Sequence, residues 1–469
     1  MYRSILYLYS KKRYILVLNI IHIMARRRKA RKMKKKIKRE SAQVAFDRIV
    51  RSALKFLQLK FSTRYNAKWG QNDFLNMLAR MCRAGKKGTA TNRYDDSEVD
   101  DMFPLPSAHW FFDRFGSIPP EIMLEGCTAA VDYTVRQARL KGLLRGILQI
   151  SIDLHNIPVY GKVHKSGKGL DSTYCVNTKR TQGTNKCYQL ATVHCVTPRC
   201  RTVLGVILVQ EGDTMAEIVG RLLDMVEKRK IRVNRVTMDR GFNSKEVIRE
   251  LERRGMTYIM PYIKYDTIKK IIMEVKDGKR DAVSSHTISK NTDPETVTVV
   301  VLKHDKKTTE ESMTEEEQQL EDTFKDAVKN DRAKKKDRKE HDPIDDYYVF
   351  ITNMPLSDIQ NNPKIVTKLY KERWGIETSY RCYETIRPRT ATTKHTPRIA
   401  LMFFPWVFYN AWMVANHLVW RSGYGTRGKP AITQDIFMKM VLVILNRIAA
   451  IERGQLNSCC CMCHRVDPG

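Results

Sequence analysis

Asp153, Asp239 and Glu377 are the acids of this chain whose settings suit chemistry. Asp153 closes an apolar run, Ile147, Ile150 and Ile152, that reads as a buried strand, and His155, Asn156, Ile157 and Pro158 follow it. Asp239 closes a second run, Val233, Val236 and Met238, with Arg240 and Gly241 in the turn behind it. A carboxylate at the end of an apolar strand is costly unless it caps the following turn, is paired, or binds a metal. Two adjacent parallel strands would set the aspartates side by side, and a crossing helix would supply Glu377. Such hard oxygen ligands suit Mg²⁺ or Mn²⁺. Two ions held there would activate water or a 3′-hydroxyl and stabilise the leaving oxygen of an in-line phosphoryl transfer.

Glu377 lies in residues 370–384, YKERWGIETSYRCYE. On a helix advancing about 100° per residue, Tyr370, Arg373, Glu377, Arg381 and Glu384 share one stripe. Arg373 and Glu377 form an i,i+4 pair, which as a plain ion pair stabilises a helix by roughly 0.2–0.5 kcal/mol. That structural reading stays open, but Trp374, Ile376, Tyr380 and Tyr383 flank the stripe and point to a partly buried site.

Tyr, two residues, Arg, three residues, Glu resembles the signature of the Tyr-Arg-Glu-Lys group of prokaryotic insertion-sequence transposases. The segment IDLHNIPVYG is similar to the one that holds the first aspartate of that group, and the strand and turn around Asp239 resemble the second. The resemblance covers about residues 147–387 and implies an RNase H-like core whose catalytic and metal-binding acids are Asp153, Asp239 and Glu377. It implies two Mg²⁺ or Mn²⁺ ions, cleavage at transposon ends, and strand transfer into target DNA. Double-stranded DNA would be the partner, bound by a homodimer or a higher synaptic complex. By position, Tyr370 and Arg373 match residues that contact phosphate near the cleaved end, Arg373 in bidentate fashion. The pattern departs at Glu384, where the group carries Lys. Arg381 and Arg387, each three residues away, would supply the missing charge, or the substitution marks a weakened copy. Two rival functions remain: a metal nuclease on the same fold without strand transfer, and a catalytically inactive DNA-binding relative.

The composition agrees with a polyanionic partner. Of 469 residues, 84 are Lys or Arg against 51 Asp or Glu, a formal net charge of +33. Nucleic acid is the first candidate and an anionic membrane surface the second. Eleven cysteines without a regular framework argue for a reducing compartment, and the resemblance implies a prokaryotic cytoplasm in association with the chromosome. Residues 14–24 are apolar but too short for the ~20 residues of a bilayer span. No small-residue cleavage site follows them, so Met24 reads as a working start or the run as a peripheral helix. Residues 26–39 carry eleven basic residues in fourteen. Arg26, Arg27, Arg28, Lys34, Lys35 and Lys36 make this block a solvated tail or a phosphate-contacting arm.

These elements predict a mixed α/β protein with a helical N-terminal domain, and the resemblance implies an RNase H-like mixed sheet flanked by helices, with an insertion before the last catalytic helix. The expected segments are an arm (1–40) and a helical domain, DNA-end-binding or supporting (41–145). A catalytic core (146–262) is followed by a charged insertion (263–346). The final strand and Glu-bearing helix (347–390), C-terminal helices (391–455) and a Cys-rich tail (456–469) complete the chain. Residues 162–186 read as a Gly-, Lys- and Thr-rich loop, and Asn243 with Glu246 as a capping box. Within 403–420, Pro405, Asn410, Asn416 and His417 interrupt the apolar run, so packing is expected rather than stable membrane insertion. Cys459, Cys460, Cys461, Cys463 and His464 lack the paired spacing of a structural zinc site and read as an incidental tail.

Overall fold

The computed structural model describes residues 71–84, 107–161, 163–164, 170–181, 183–197, 200–288, 294–303, 342–421 and 430–452. The basic arm and the Cys-rich tail lie outside the described residues. The chain divides into two compact units, Met1–Arg232 with Trp374–Gly469, and Val233–Arg373.

The first unit begins with helices α1 (Gln71–Ala84), α2 (Ala108–Gly116) and α3 (Pro120–Leu140). Ser107 caps α2 by accepting from the Trp110 amide at 3.2 Å, as its sequence position predicts. Pro120 opens α3, where its missing N–H costs no helical bond. Strand β1 (Leu148–Pro158) follows, then the short parallel pair β2 (Val163–His164) and β3 (Leu170–Asp171). Strands β4 (Val176–Thr181), β5 (Thr184–Cys195) and β6 (Val203–Leu208) complete its sheet. The long β5 takes β1 antiparallel along one edge. Its other edge pairs with β4 near Cys187 and with β6 from Leu190 to His194. Helix α4 (Met215–Lys228) starts at Thr214, which forms a full capping box with Glu217.

The second unit continues with β7 (Val233–Met238), α5 (Lys245–Arg253) and β8 (Thr257–Pro261), the two strands parallel. Then come α6 (Asp266–Lys276), β9 (Val283–Ile288), β10 (Glu295–Lys303) and β11 (Tyr347–Thr352). The strands run in the order β7-β8-β11-β10-β9, with the last three joined antiparallel. Helices α7 (Leu356–Ile359) and α8 (Lys364–Lys371) close the unit. Ile359 and Val366 seal a core with Ile259, Val300 and Phe350.

The chain then returns to the first unit with α9 (Trp374–Ile386), α10 (His395–Arg421) and α11 (Gln434–Glu452). Helix α10 is long and apolar enough to cross a bilayer, yet 89% of its apolar window is buried within the protein. Asn410 explains how a polar residue sits at its centre. Its Oδ1 accepts from the Val203 amide at 3.0 Å, and its Nδ2 donates to the Val203 carbonyl and to Thr134 Oγ1, each at 2.9 Å. All of its polar atoms are thereby satisfied in the core. The architecture is thus mixed α/β, with a mixed sheet flanked by helices.

Four sequence readings need correction. Asp153 is not at a strand end: β1 continues to Pro158, because residues 153–158 pair with 187–192 of β5. Part of the expected loop 162–186 is strand β4, which borrows its regularity from β5. The single helix through residues 370–384 is two helices, α8 ending at Lys371 and α9 starting at Trp374. Finally, Ser244 rather than Asn243 caps α5, accepting from Val247 N at 3.3 Å, while Asn243 donates to the Pro261 carbonyl.

Candidate active site

Strand β1 alternates its side chains between two faces, so Ser151, Asp153 and His155 share one. Asp153 lies opposite Thr192 of β5, and Ser151 opposite His194. The Asp153 carboxylate is half-buried, and its Oδ1 accepts from the Leu154 amide at 2.8 Å.

Helix α9 comes close to this sheet because Gly375 stands in its first turn. A Cβ there would meet the Val196 Cβ at 3.3 Å, tighter than most packed contacts. Ser379 and Tyr409 share a hydrogen bond of 2.9 Å, and the Tyr383 hydroxyl donates to the Met402 carbonyl at 3.1 Å, which fastens α9 to α10. From the same helix, Tyr380 OH and Thr192 Oγ1 are 2.6 Å apart. The His155 ring stacks on Tyr380, centroids 4.6 Å apart and 16° between planes, and meets Tyr383 edge-on at 5.4 Å. Trp406 stacks on Tyr383 at 4.1 Å and closes the aromatic layer. Beneath it, burial and the neighbouring His155 push His194 down to about 3, so that imidazole stays neutral in the core. Glu377 is half-buried in the first turn of α9.

Glu384, expected to present an anion near the DNA end, is committed elsewhere. His155 Nε2 donates to its Oε1 at 2.9 Å, since an ionised carboxylate can only accept. Arg387 donates Nε to Oε1 at 2.8 Å and Nη2 to Oε2 at 3.0 Å. Burial alone would raise this carboxyl, but the hydrogen bonds and charges of His155 and Arg387 prevail and hold it well below the usual carboxylate range. Arg387 is itself largely buried, 15% exposed, and so does not supply the free cation expected of it.

The depressed acid of Glu384 has a consequence for stability. Above the ordinary glutamate value of about 4.3 both states are ionised and the contribution is complete. As pH falls further the unfolded state takes up the proton first, and the contribution is lost towards the folded value. Urea unfolding at pH 3, 5 and 7 is expected to show Glu384→Gln less stable than the parent at pH 5 and 7, with the gap narrowing at pH 3. A gap of the same size at all three would mean that ionisation of Glu384 plays no part.

The remaining sequence-singled residues lie as follows. Asp239, in the second unit, ends β7 as expected and caps the next turn by accepting from Arg240 N at 2.6 Å. Tyr370 packs against Phe350 at 5.2 Å, and the Arg373 guanidinium sits 5.7 Å over the Tyr370 ring. Arg381 is exposed on α9. Among the described residues no group of three His, Cys, Asp or Glu side chains is gathered to hold a metal ion. The chemistry of Asp153, Asp239 and Glu377, all hard carboxylate oxygen, nonetheless fits Mg²⁺ or Mn²⁺ rather than a softer metal. Sequence reasoning gave no role to His155 or Thr192. The period of two from Asp153 would have found His155; Thr192 needed the β5 register.

A family model described as a transposase DDE domain matches residues 145–400. Among curated proteins no match is found. Among solved structures, the cryo-EM structure of a piggyBac transposase synaptic complex with hairpin DNA is similar over 90% of this chain and 84% of that one, at 10% identity and a TM-score of 0.45.

Proposed function

The chain belongs to the transposase DDE-domain family, whose match spans more than half of it, and from that premise we propose that it is the transposase of an insertion sequence of the Tyr-Arg-Glu-Lys group. As a DDE transposase it is an enzyme of DNA cleavage and strand transfer. The observation that carries the finer reading is that the family match, residues 145–400, encloses Asp153, Asp239 and Glu377 together with the Tyr-Arg-Glu spacing.

Asp153, Asp239 and Glu377 are the residues that would hold two Mg²⁺ or Mn²⁺ ions. When bound, such ions supply Lewis-acid stabilisation of phosphoryl oxygens and lower the pKa of the attacking hydroxyl. The chain's own part is to orient and to exclude water. The layer of Tyr380, Tyr383 and Trp406 backs the Asp153 face with apolar rings, where polar bonds weigh more than in water. Arg381 offers an exposed guanidinium one turn beyond Glu377. Tyr370 and Arg373 are assigned to phosphate near the cut end, with the guanidinium poised on its aromatic neighbour.

Double-stranded DNA, as element ends and as target, is the proposed partner, with a homodimer or larger synaptic complex assembled on it. Purified full-length protein with a duplex bearing the element's end and Mg²⁺ is expected to give nicked ends and then products joined to a second duplex. Nicking without joining would leave a metal nuclease, and binding without either would leave an inactive relative.

The basic block is assigned to phosphate contact on its charge. Deleting residues 1–40 is expected to weaken duplex binding and to flatten its salt dependence, since each neutralised phosphate contributes about 0.9 to the logarithmic slope. An unchanged slope would assign DNA binding to the surfaces of the remaining chain.

A further inference from the structure

We infer that Glu384 is a positioning residue that acts through His155 to hold helix α9, and Glu377 on it, in register with Asp153 on β1. The inference rests on the assignment of Asp153 and Glu377 as the reacting-site acids.

The geometry gives each partner a defined relation to one acid. Glu384 follows Glu377 by seven residues, about two helical turns, and so returns to within roughly 20° of the same azimuth at about 10.5 Å along the axis. His155 follows Asp153 by two residues and stands on the same strand face, about 6.7 Å along. The 2.9 Å bond between His155 and Glu384 therefore ties the helix stripe that bears one acid to the strand face that bears the other.

A second tie lies on the far side of Asp153. Tyr380 OH meets Thr192 Oγ1 at 2.6 Å, and Thr192 is the cross-strand partner of Asp153. One anchor is thus along the strand from Asp153 and the other directly across from it. Two such points restrain both the sliding and the rotation of α9 on the sheet. Arg387, one turn beyond Glu384, binds both carboxylate oxygens and fixes the rotamer that reaches His155. The Tyr380 ring stacked on His155 fixes the imidazole plane.

A partly buried ionic cluster of this kind is weak evidence of stabilisation, because its desolvation offsets much of the attraction. Apolar side chains would join the helix to the sheet as firmly but without a fixed register. What the polar cluster adds is geometry, and the acids that require geometry stand two residues along β1 from His155 and two turns along α9 from Glu384. Partners standing behind metal-binding side chains commonly change metal affinity or activity by about 10–100-fold when removed.

The test compares the full chain with His155→Phe, Glu384→Ala and the double variant. Phe keeps a ring on Tyr380 and removes only the donor, so His155→Phe serves even where Glu384→Ala fails to fold. Three quantities are measured: single-turnover cleavage of a duplex end, its dissociation constant, and Mn²⁺ affinity from the paramagnetic resonance of the free ion. Each single variant is expected to lose about 10–100-fold in cleavage and in Mn²⁺ affinity, with DNA affinity held within about twofold. The double is expected to be no worse than the poorer single, as for two residues acting as one unit. Wild-type cleavage and Mn²⁺ affinity in His155→Phe, or strictly additive losses, would overturn the inference while Asp153→Asn remains inactive. Cleavage by Asp153→Asn in the same assay would overturn the assignment of the acids, and the positioning role with it.

Discussion

Asp153→Asn, Asp239→Asn and Glu377→Gln are each expected to lower Mg²⁺-dependent end cleavage by roughly 10³-fold or more, while duplex binding persists. The size follows from the several kcal/mol that a bound divalent ion gives to a phosphoryl transition state, with about 1.4 kcal/mol per tenfold. The amides keep the shape and one acceptor oxygen but remove the charge that a hard cation needs. The folded state tolerates the two asparagines for a reason visible at each aspartate. The Asp153 Oδ1 accepts from the Leu154 amide and the Asp239 Oδ1 from the Arg240 amide, and an asparagine oxygen can accept from both. Thermal unfolding and DNA affinity measured beside cleavage separate lost chemistry from lost fold. Near wild-type cleavage in any one variant removes that residue from the site.

Glu384→Lys is the second large effect, and its direction reverses what the family signature suggests. By signature, lysine at this place restores a cation beside the cleaved phosphate and should raise activity. In the structure the side chain at 384 accepts from His155 and Arg387 and is 19% exposed. A lysine ammonium would face two donors, one of them a fixed guanidinium, with no acceptor between them. Breaking a buried charged pair by removing one partner costs about 3–5 kcal/mol, and partial exposure places this case near 3 kcal/mol. The variant is therefore expected to unfold at lower urea and to cleave more slowly. Wild-type stability with faster cleavage would return Glu384 to the DNA-facing role and leave the His155 bond without importance.

Why the signature misleads at residue 384 bears on what a sequence carries. Spacing along a helix fixes azimuth, so the placing of Glu377, Arg381 and Glu384 on one stripe was legible and holds within α9. It does not fix what stands opposite. Glu384 meets β1 because Gly375 lets the helix approach Val196, and because β1 runs on past Asp153 to carry His155. Neither fact is local. The same holds for β4, whose polar residues read as a loop until β5 supplies backbone partners for them. Tyr370 and Arg373 were joined to Glu377 by periodicity, and the chain instead breaks its helix between them.

What the sequence determined by itself was most of what depends on near neighbours, and all that depends on summed composition. The Met215–Lys228 helix, the Ser107 cap, the Tyr347–Thr352 strand and the strand-end place of Asp239 follow from periodicity and capping chemistry. The net charge of +33 follows from counting. Tertiary structure decided how far β1 extends, which residues stand across from Asp153, and whether Glu384 faces DNA or His155. Those are questions of register and of pairing between segments as far apart in sequence as residues 155 and 384. No local propensity encodes such a pairing; it is settled only when backbone hydrogen bonds and packed side chains from distant segments are satisfied together.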